Sequence, residues 1–220
     1  IEDDALRQSI RVYNHGRSLV EKLYALRAER HGLIDGLSAM ACVVAGFWMK
    51  KEDHNRLLQE LLESLEGTAP KDDRRVPLVV SGSVCTTPDL LELLLELGAN
   101  VVEDDLCCGH RYYEGLVDEG VAPEEALARR MWSRVNCPAK HQCLEDRASR
   151  LMERVEESGA KGVLFYLQSF CEPHLFDIPY LRKRLLEERE IPSLVLESEL
   201  QSFSRGQLRT RLQAFLEIIA

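Results

Sequence analysis

The 220-residue sequence lacks any apolar run long enough to cross a bilayer. The longest, residues 37–49, is broken by Ser38 and falls short of the roughly 20 residues that a spanning helix needs, so it is expected to be a buried helix and no membrane partner is expected. Basic charge is also scarce. With 28 Lys and Arg against 37 Asp and Glu the formal charge is −9, which argues against nucleic acid, whose phosphates must be neutralised by clustered cations. No basic segment followed by a small-residue cleavage site opens the chain, so export is not expected. Neither G-x-G-x-x-G nor G-x-x-x-x-G-K-[ST] is present; Ser81-Gly82-Ser83-Val84-Cys85 stands where such a phosphate loop would follow the first expected strand. A G-x-S-x-G nucleophile elbow is missing too, as are internal repeats and low-complexity segments. Aromatic residues make up only 6%.

What the chain does have is a change of period. Up to residue 67 the apolar residues recur at helical spacing: Leu6, Ile10 and Tyr13, then Leu19, Leu23 and Leu26, and later Leu57, Leu58, Leu61, Leu62 and Leu65. Helices are expected over 3–30, 37–50 and 53–65, with the leucine stripe packed into a core. A polar, proline-bounded stretch, 67–77, is the linker candidate. Beyond it, short β runs at 78–81, 101–102, 162–166 and 193–196 alternate with helices at 88–97, within 109–135, and at 143–159, 177–190 and 205–218. Thr87-Pro88 and Gly98 punctuate the first of these. The expected fold is α/β: a helical segment, residues 1–67, before a Rossmann-like lobe, residues 76–220, with a parallel four-stranded sheet flanked by helices.

Seven cysteines (42, 85, 107, 108, 137, 143 and 171) are an odd number without a secretion signal. That favours a reduced, cytoplasmic setting and metal or redox use over a disulfide framework. In an open parallel sheet, ligands collect beyond the carboxyl ends of the strands, and Cys85, Cys107 with Cys108, and Cys171 each follow a different expected strand. Soft thiolates select zinc, copper(I) or iron-sulfur clusters. The doubled C-x2-C of a structural zinc site is absent, and Cys137 and Cys143, around Pro138 and His141, are too loosely spaced to name a metal. Cys42, inside the apolar helix, is expected to be a core residue, and His110 and His141 surface or outer-sphere residues. The densest stretch is Glu103-Asp104-Asp105-Leu106-Cys107-Cys108-Gly109-His110-Arg111-Tyr112-Tyr113, read as a polar turn after a strand. Its two aspartates could serve as a general base, but adjacent carboxylates at a strand end are more often solvated turn residues or helix caps.

That stretch resembles the D-D-x-C-x-G-x-R-Y-[YF] signature of the 2-hydroxyacyl-CoA dehydratase and benzoyl-CoA reductase family. Ser169-Phe170-Cys171-Glu172-Pro173, then Phe176-Asp177-Ile178-Pro179 and Ile191-Pro192-Ser193-Leu194-Val195-Leu196-Glu197, is similar to the family's F-C-[DE]-P and G-I-P-x-L-x-L-E segments. Tyr13-Asn14-His15-Gly16-Arg17 matches its Y-N-x-x-R helix. The resemblance runs nearly end to end and in order. It implies a polypeptide that holds a [4Fe-4S] cluster, an ATP-hydrolysing iron-sulfur activator that supplies one electron, a homologous or identical partner subunit, and an acyl-CoA or other small-molecule substrate. Family members are longer, so the chain is expected to be a carboxy-terminal part in which the cluster is incomplete or absent. Cys171 is the ligand carried over from F-C-[DE]-P; Cys85, Cys107, Cys108, Cys137 and Cys143 complete the candidate set. Six thiols exceed the needs of one cubane and resemble the complement of the double-cubane cluster reductases. Two other expectations stand beside these: a metal-free interaction or scaffold domain of the same fold, and a structural zinc module.

Overall fold

Four β runs become four strands, β1 (Val76–Gly82), β2 (Ala99–Asp105), β3 (Gly162–Gln168) and β4 (Ser193–Ser198), each longer than its apolar kernel suggests. The computed structural model describes residues 2–70, 73–85, 88–134, 137, 144–198 and 205–219. Within it the strands pair in parallel in the order β2-β1-β3-β4, with Val76 beside Ala99, Leu78 beside Gly162 and Val163 beside Ser193. The expected α/β class and all-parallel sheet are what forms.

Alternation along the strands divides the core. Leu78, Val80, Val101, Leu164, Tyr166 and Leu196 face the leucines of α4 (Asp89–Glu96) and Leu208, Leu212, Phe215 and Leu216 of α9 (Arg205–Ile219). Val79, Val163, Phe165 and Leu167 face the other way, onto α7 (Leu144–Glu157) and α8 (Glu172–Arg189). A parallel sheet covered on both sides reads as continuous apolar runs, as these strands do. At about 1.5–3 kcal/mol for each buried aliphatic side chain, these two layers dominate the stabilisation of the sheet.

Before the sheet, α1 (Asp3–Glu29), α2 (Gly36–Trp48) and α3 (Lys51–Glu66) bury Leu19, Leu23, Val43, Leu58 and Leu62 together, and Tyr113 joins them. The Gly36 amide donates to Asn100 Oδ1 at 2.9 Å, and a Cβ at Gly36 would lie 2.5 Å from the Val101 carbonyl oxygen. That close approach seats α2 on β2. The expectation that the apolar helix is buried holds for one face only, because Phe47 is 42% and Trp48 86% exposed; Cys42 is half-buried against the helical core. Within 109–135 two helices form, the single turn α5 (His110–Tyr113) and α6 (Pro123–Ser133). Helix α8 starts five residues earlier than its apolar pattern suggests, since Pro173 fits the first helical turn. Gly98 takes the left-handed conformation, φ +79°, that ends α4, whereas Thr87 lies outside the described residues. Among the described residues no helix is long and apolar enough to cross a membrane.

Candidate functional site

The end of β2 is buried, and this corrects the picture of a solvated acidic turn. Glu103, Asp104 and Asp105 belong to the strand and are each at most 8% exposed, so each needs internal partners. Asp105 accepts from the Ser81 hydroxyl at 2.8 Å, and Arg111 Nε lies 3.4 Å away. Burial works against its charge, but Arg111, Arg154 and Arg147 outweigh it and hold the carboxyl below its ordinary pKa. Burial likewise opposes ionisation of Glu103, yet His110, Nδ1 at 3.3 Å, together with Arg27 and Arg154 keeps its pKa low. Asp104 Oδ1 accepts from the amides of Leu106, 3.2 Å, and His110, 2.9 Å, and Oδ2 accepts from the Tyr24 hydroxyl at 2.5 Å. It caps the turn into α5. Gly109 makes this possible, since a Cβ there would lie 1.9 Å from Asp104 Oδ1. All three carboxylates are committed to structure, which leaves none as an open general base.

The thiols fall into two groups. Cys85 and Cys108 are buried in the core between sheet and helices. The Cys85 amide donates to Cys108 Sγ at 3.4 Å, and that thiol donates to the Cys85 carbonyl oxygen at 3.4 Å. Burial pushes the Cys85 thiol up to about 12, with Cys108 and Asp104 adding to the shift, and burial raises Cys108 too.

Cys107 is different. Its amide donates to the Ser83 carbonyl at 2.8 Å, which fastens the loop after β2 to the loop after β1, and the residue is solvent-exposed. Surrounding protein still raises its thiol; Arg111 pulls the other way, while Cys137, Asp105 and Cys171 push it further up. Those contributions place Cys137 and Cys171 within electrostatic reach of Cys107. Cys171 is the N-cap of α8, after a turn in which Phe170 adopts φ +65° and stands 87% exposed. The edge beyond β2 and β3 thus carries Cys107 and Cys171, with Cys137 within electrostatic reach of Cys107, whereas Cys85 and Cys108 lie in the core. Cys143 and His141 lie outside the described residues.

Near this edge sits a buried charged layer. Arg147 pairs with Asp177 and lies within reach of Asp105, Arg111, Cys137 and Cys107; His174, 3% exposed, is pushed down to about 3 by burial, Arg111 and Arg147. Among the described residues, no group of three or more His, Cys, Asp or Glu is gathered tightly enough for a single metal ion. A zinc ion would require all of its thiolates at about 2.3 Å from one centre. A cubane binds each thiolate at a different iron, so its ligands stand further apart. Thiols near the Arg111 and Arg147 guanidiniums have the donor type and the balancing charge that an anionic cluster needs.

The family model described as 2-hydroxyglutaryl-CoA dehydratase, D-component, matches residues 1–219. The chain belongs to that family. The dehydratase D-component match is supported by curated relatives: a benzoyl-CoA reductase subunit of Thauera aromatica is 30% identical over 223 residues, covering 100% of this chain and 58% of the relative. The lactoyl-CoA dehydratase beta subunit of Anaerotignum propionicum is 28% identical over 222 residues, 100% of this chain and 59% of the relative. The (R)-phenyllactyl-CoA dehydratase beta subunit of Clostridium sporogenes is 26% identical over 219 residues, with 100% and 58% coverage. The chain thus spans somewhat more than half the length of these relatives.

Several residues of the site carried no weight in the sequence. Arg147 and Arg154 are seven apart on α7, on the face that also buries Leu151 and Val155. Two arginines inside an apolar stripe were the available sign that buried acids lay opposite. Tyr24, Arg27 and His174 gave no comparable signal.

Proposed function

We propose that this chain forms the iron-sulfur-bearing part of a low-potential enzyme of the 2-hydroxyacyl-CoA dehydratase and benzoyl-CoA reductase type. What supports this reading is that Cys137 and Cys171 lie within electrostatic reach of Cys107, and Cys107, Cys137 and Arg111 within that of Arg147, in a chain of this family. In this reading the three thiols hold a [4Fe-4S] cluster, and Cys85 and Cys108 pack the core.

When bound, such a cluster supplies one-electron chemistry at low potential. The residues of this chain fix the thiolates on strand ends, offset their charge and orient the loops, which is the usual share of a protein in cofactor chemistry. An ATP-hydrolysing iron-sulfur activator delivers the electron, the assembly is completed by a homologous or identical subunit, an acyl-CoA thioester is the substrate, and the setting is the cytoplasm.

Anaerobic reconstitution of the complete subunit followed by iron and sulfide analysis tests the reading. It expects broad brown absorbance and about four irons per chain, lost in Cys171→Ser and Cys107→Ser but kept in Cys85→Ala. A colourless, iron-free product counts against it.

A further inference from the structure

Two nitrogen atoms of the buried charged layer, Nε of Arg147 and Nε2 of His174, have no hydrogen-bond partner among the described residues. Both groups are buried, the Arg147 side chain to 4% exposure and His174 to 3%. A buried polar atom left unsatisfied costs about 1–3 kcal/mol, and native proteins rarely tolerate one without an acceptor that has yet to be accounted for. Two in one layer point to a shared acceptor.

Their placement names that acceptor. His174 lies in the first turn of α8, three residues after Cys171, and its amide donates to the Cys171 carbonyl at 3.1 Å. Asp177, the next turn of the same helix, pairs with Arg147, which reaches in from α7 to the neighbourhood of Cys107 and Cys137. The two donors thus come from neighbouring helices, one anchored by its backbone at Cys171 and the other within electrostatic reach of Cys107 and Cys137. We propose that Arg147 Nε and His174 Nε2 donate to sulfur of the group held by Cys107, Cys137 and Cys171, and that these two positioning residues set its reduction potential.

This inference rests on the iron-sulfur reading above. The reduced cluster carries one more negative charge, so N–H donors to its sulfurs favour the reduced state and raise the potential. His174 acts as a neutral imidazole with its hydrogen on Nε2, and needs no counter-charge. Arg147 already has one in Asp177, so the direction of its Nε–H matters beside its charge.

The test compares wild type, His174→Phe, His174→Gln and Arg147→Lys, each as the complete subunit reconstituted anaerobically with iron and sulfide. Iron content and circular dichroism are measured first, then the midpoint potential by redox titration followed by electron paramagnetic resonance. His174→Phe and Arg147→Lys should keep their iron while the midpoint moves negative; His174→Gln, whose amide still donates, should stay near wild type. Arg147→Lys keeps the positive charge beside Asp177 and carries the test if His174→Phe folds poorly. Clusters intact in every variant with unmoved midpoints would overturn the proposal and leave the cluster reading standing; so would His174→Gln shifting as far as His174→Phe, since only shape would then matter. A complete wild-type subunit that takes up no iron overturns both.

Discussion

Cys85 and Cys108 are joined thiol to backbone: the Cys85 amide donates to Cys108 Sγ and the Cys108 thiol donates to the Cys85 carbonyl, both at 3.4 Å. The pair ties the loop after β1 to the loop after β2 from below, while Cys107 ties the same loops from above through Ser83.

From this pairing, Cys85→Ala and Cys108→Ala are expected to act on stability rather than on iron. Each removes a buried sulfur from a packed layer, at a cost of about 1–3 kcal/mol. Denaturant unfolding should show this loss, and iron uptake by the folded fraction should equal that of wild type. Iron loss without destabilisation would make these two thiols ligands.

Gly82 offers a sharper prediction. At the end of β1, a Cβ on this residue would lie 1.8 Å from the Tyr166 carbonyl oxygen in the adjacent strand. The obstacle is backbone in a central ladder, which cannot rotate aside as a side chain can. Gly82→Ala is therefore expected to cost at least the 1–3 kcal/mol typical of overpacking, about enough to lower the melting temperature by several degrees. An unchanged melting curve would mean that the β1–β3 pairing gives way here.

These residues show which parts of the molecule could be read from its sequence. The strands were legible because Leu78-Val79-Val80 and Val163-Leu164-Phe165 are continuous apolar runs, as a doubly covered parallel sheet requires. The surroundings of Glu103, Asp104 and Asp105 were not. Whether an acidic triplet is solvated or buried depends on cations from α1 and α7, and Arg27, Arg147 and Arg154 stand tens of residues away with no local pattern linking them to β2. The thiols divide for the same reason. Strand-end spacing delivers Cys85, Cys107, Cys108 and Cys171 to one edge, but the twist of each loop decides which sulfur turns inward, and that is settled by contacts such as Cys108 with Cys85. Cys137 belongs to no strand end, so nothing local in the sequence signals its electrostatic reach to Cys107.

Glu103 gives a pH prediction with a definite sign. Its pKa is low in the folded protein because His110, Arg27 and Arg154 prevail over burial. A carboxyl with a depressed folded pKa stabilises the protein above its unfolded pKa, and that contribution disappears as pH falls from about 4.3 through the folded value. Stability should thus drop with acid in this window, and Glu103→Gln, which has no charge to lose, should show a shallower drop from a lower starting point. Parallel acid profiles for the two proteins would show that the Glu103 charge contributes nothing to folding.

Asp177 tests the charged layer itself. It is in contact with Arg147, whose side chain is 4% exposed against 18% for Asp177, so Asp177→Asn leaves an interior guanidinium near Arg111 without the carboxylate it touches. Removing one member of a buried pair costs about 3–5 kcal/mol, mostly as the penalty of stranding the other. Asp177→Asn with Arg147→Met removes both charges, and the double variant should recover much of the loss, because no buried charge is then left alone. The result follows from thermal unfolding of the four proteins of the cycle at one pH. A coupling near zero would mean that Arg147 is balanced by Asp105 rather than by Asp177.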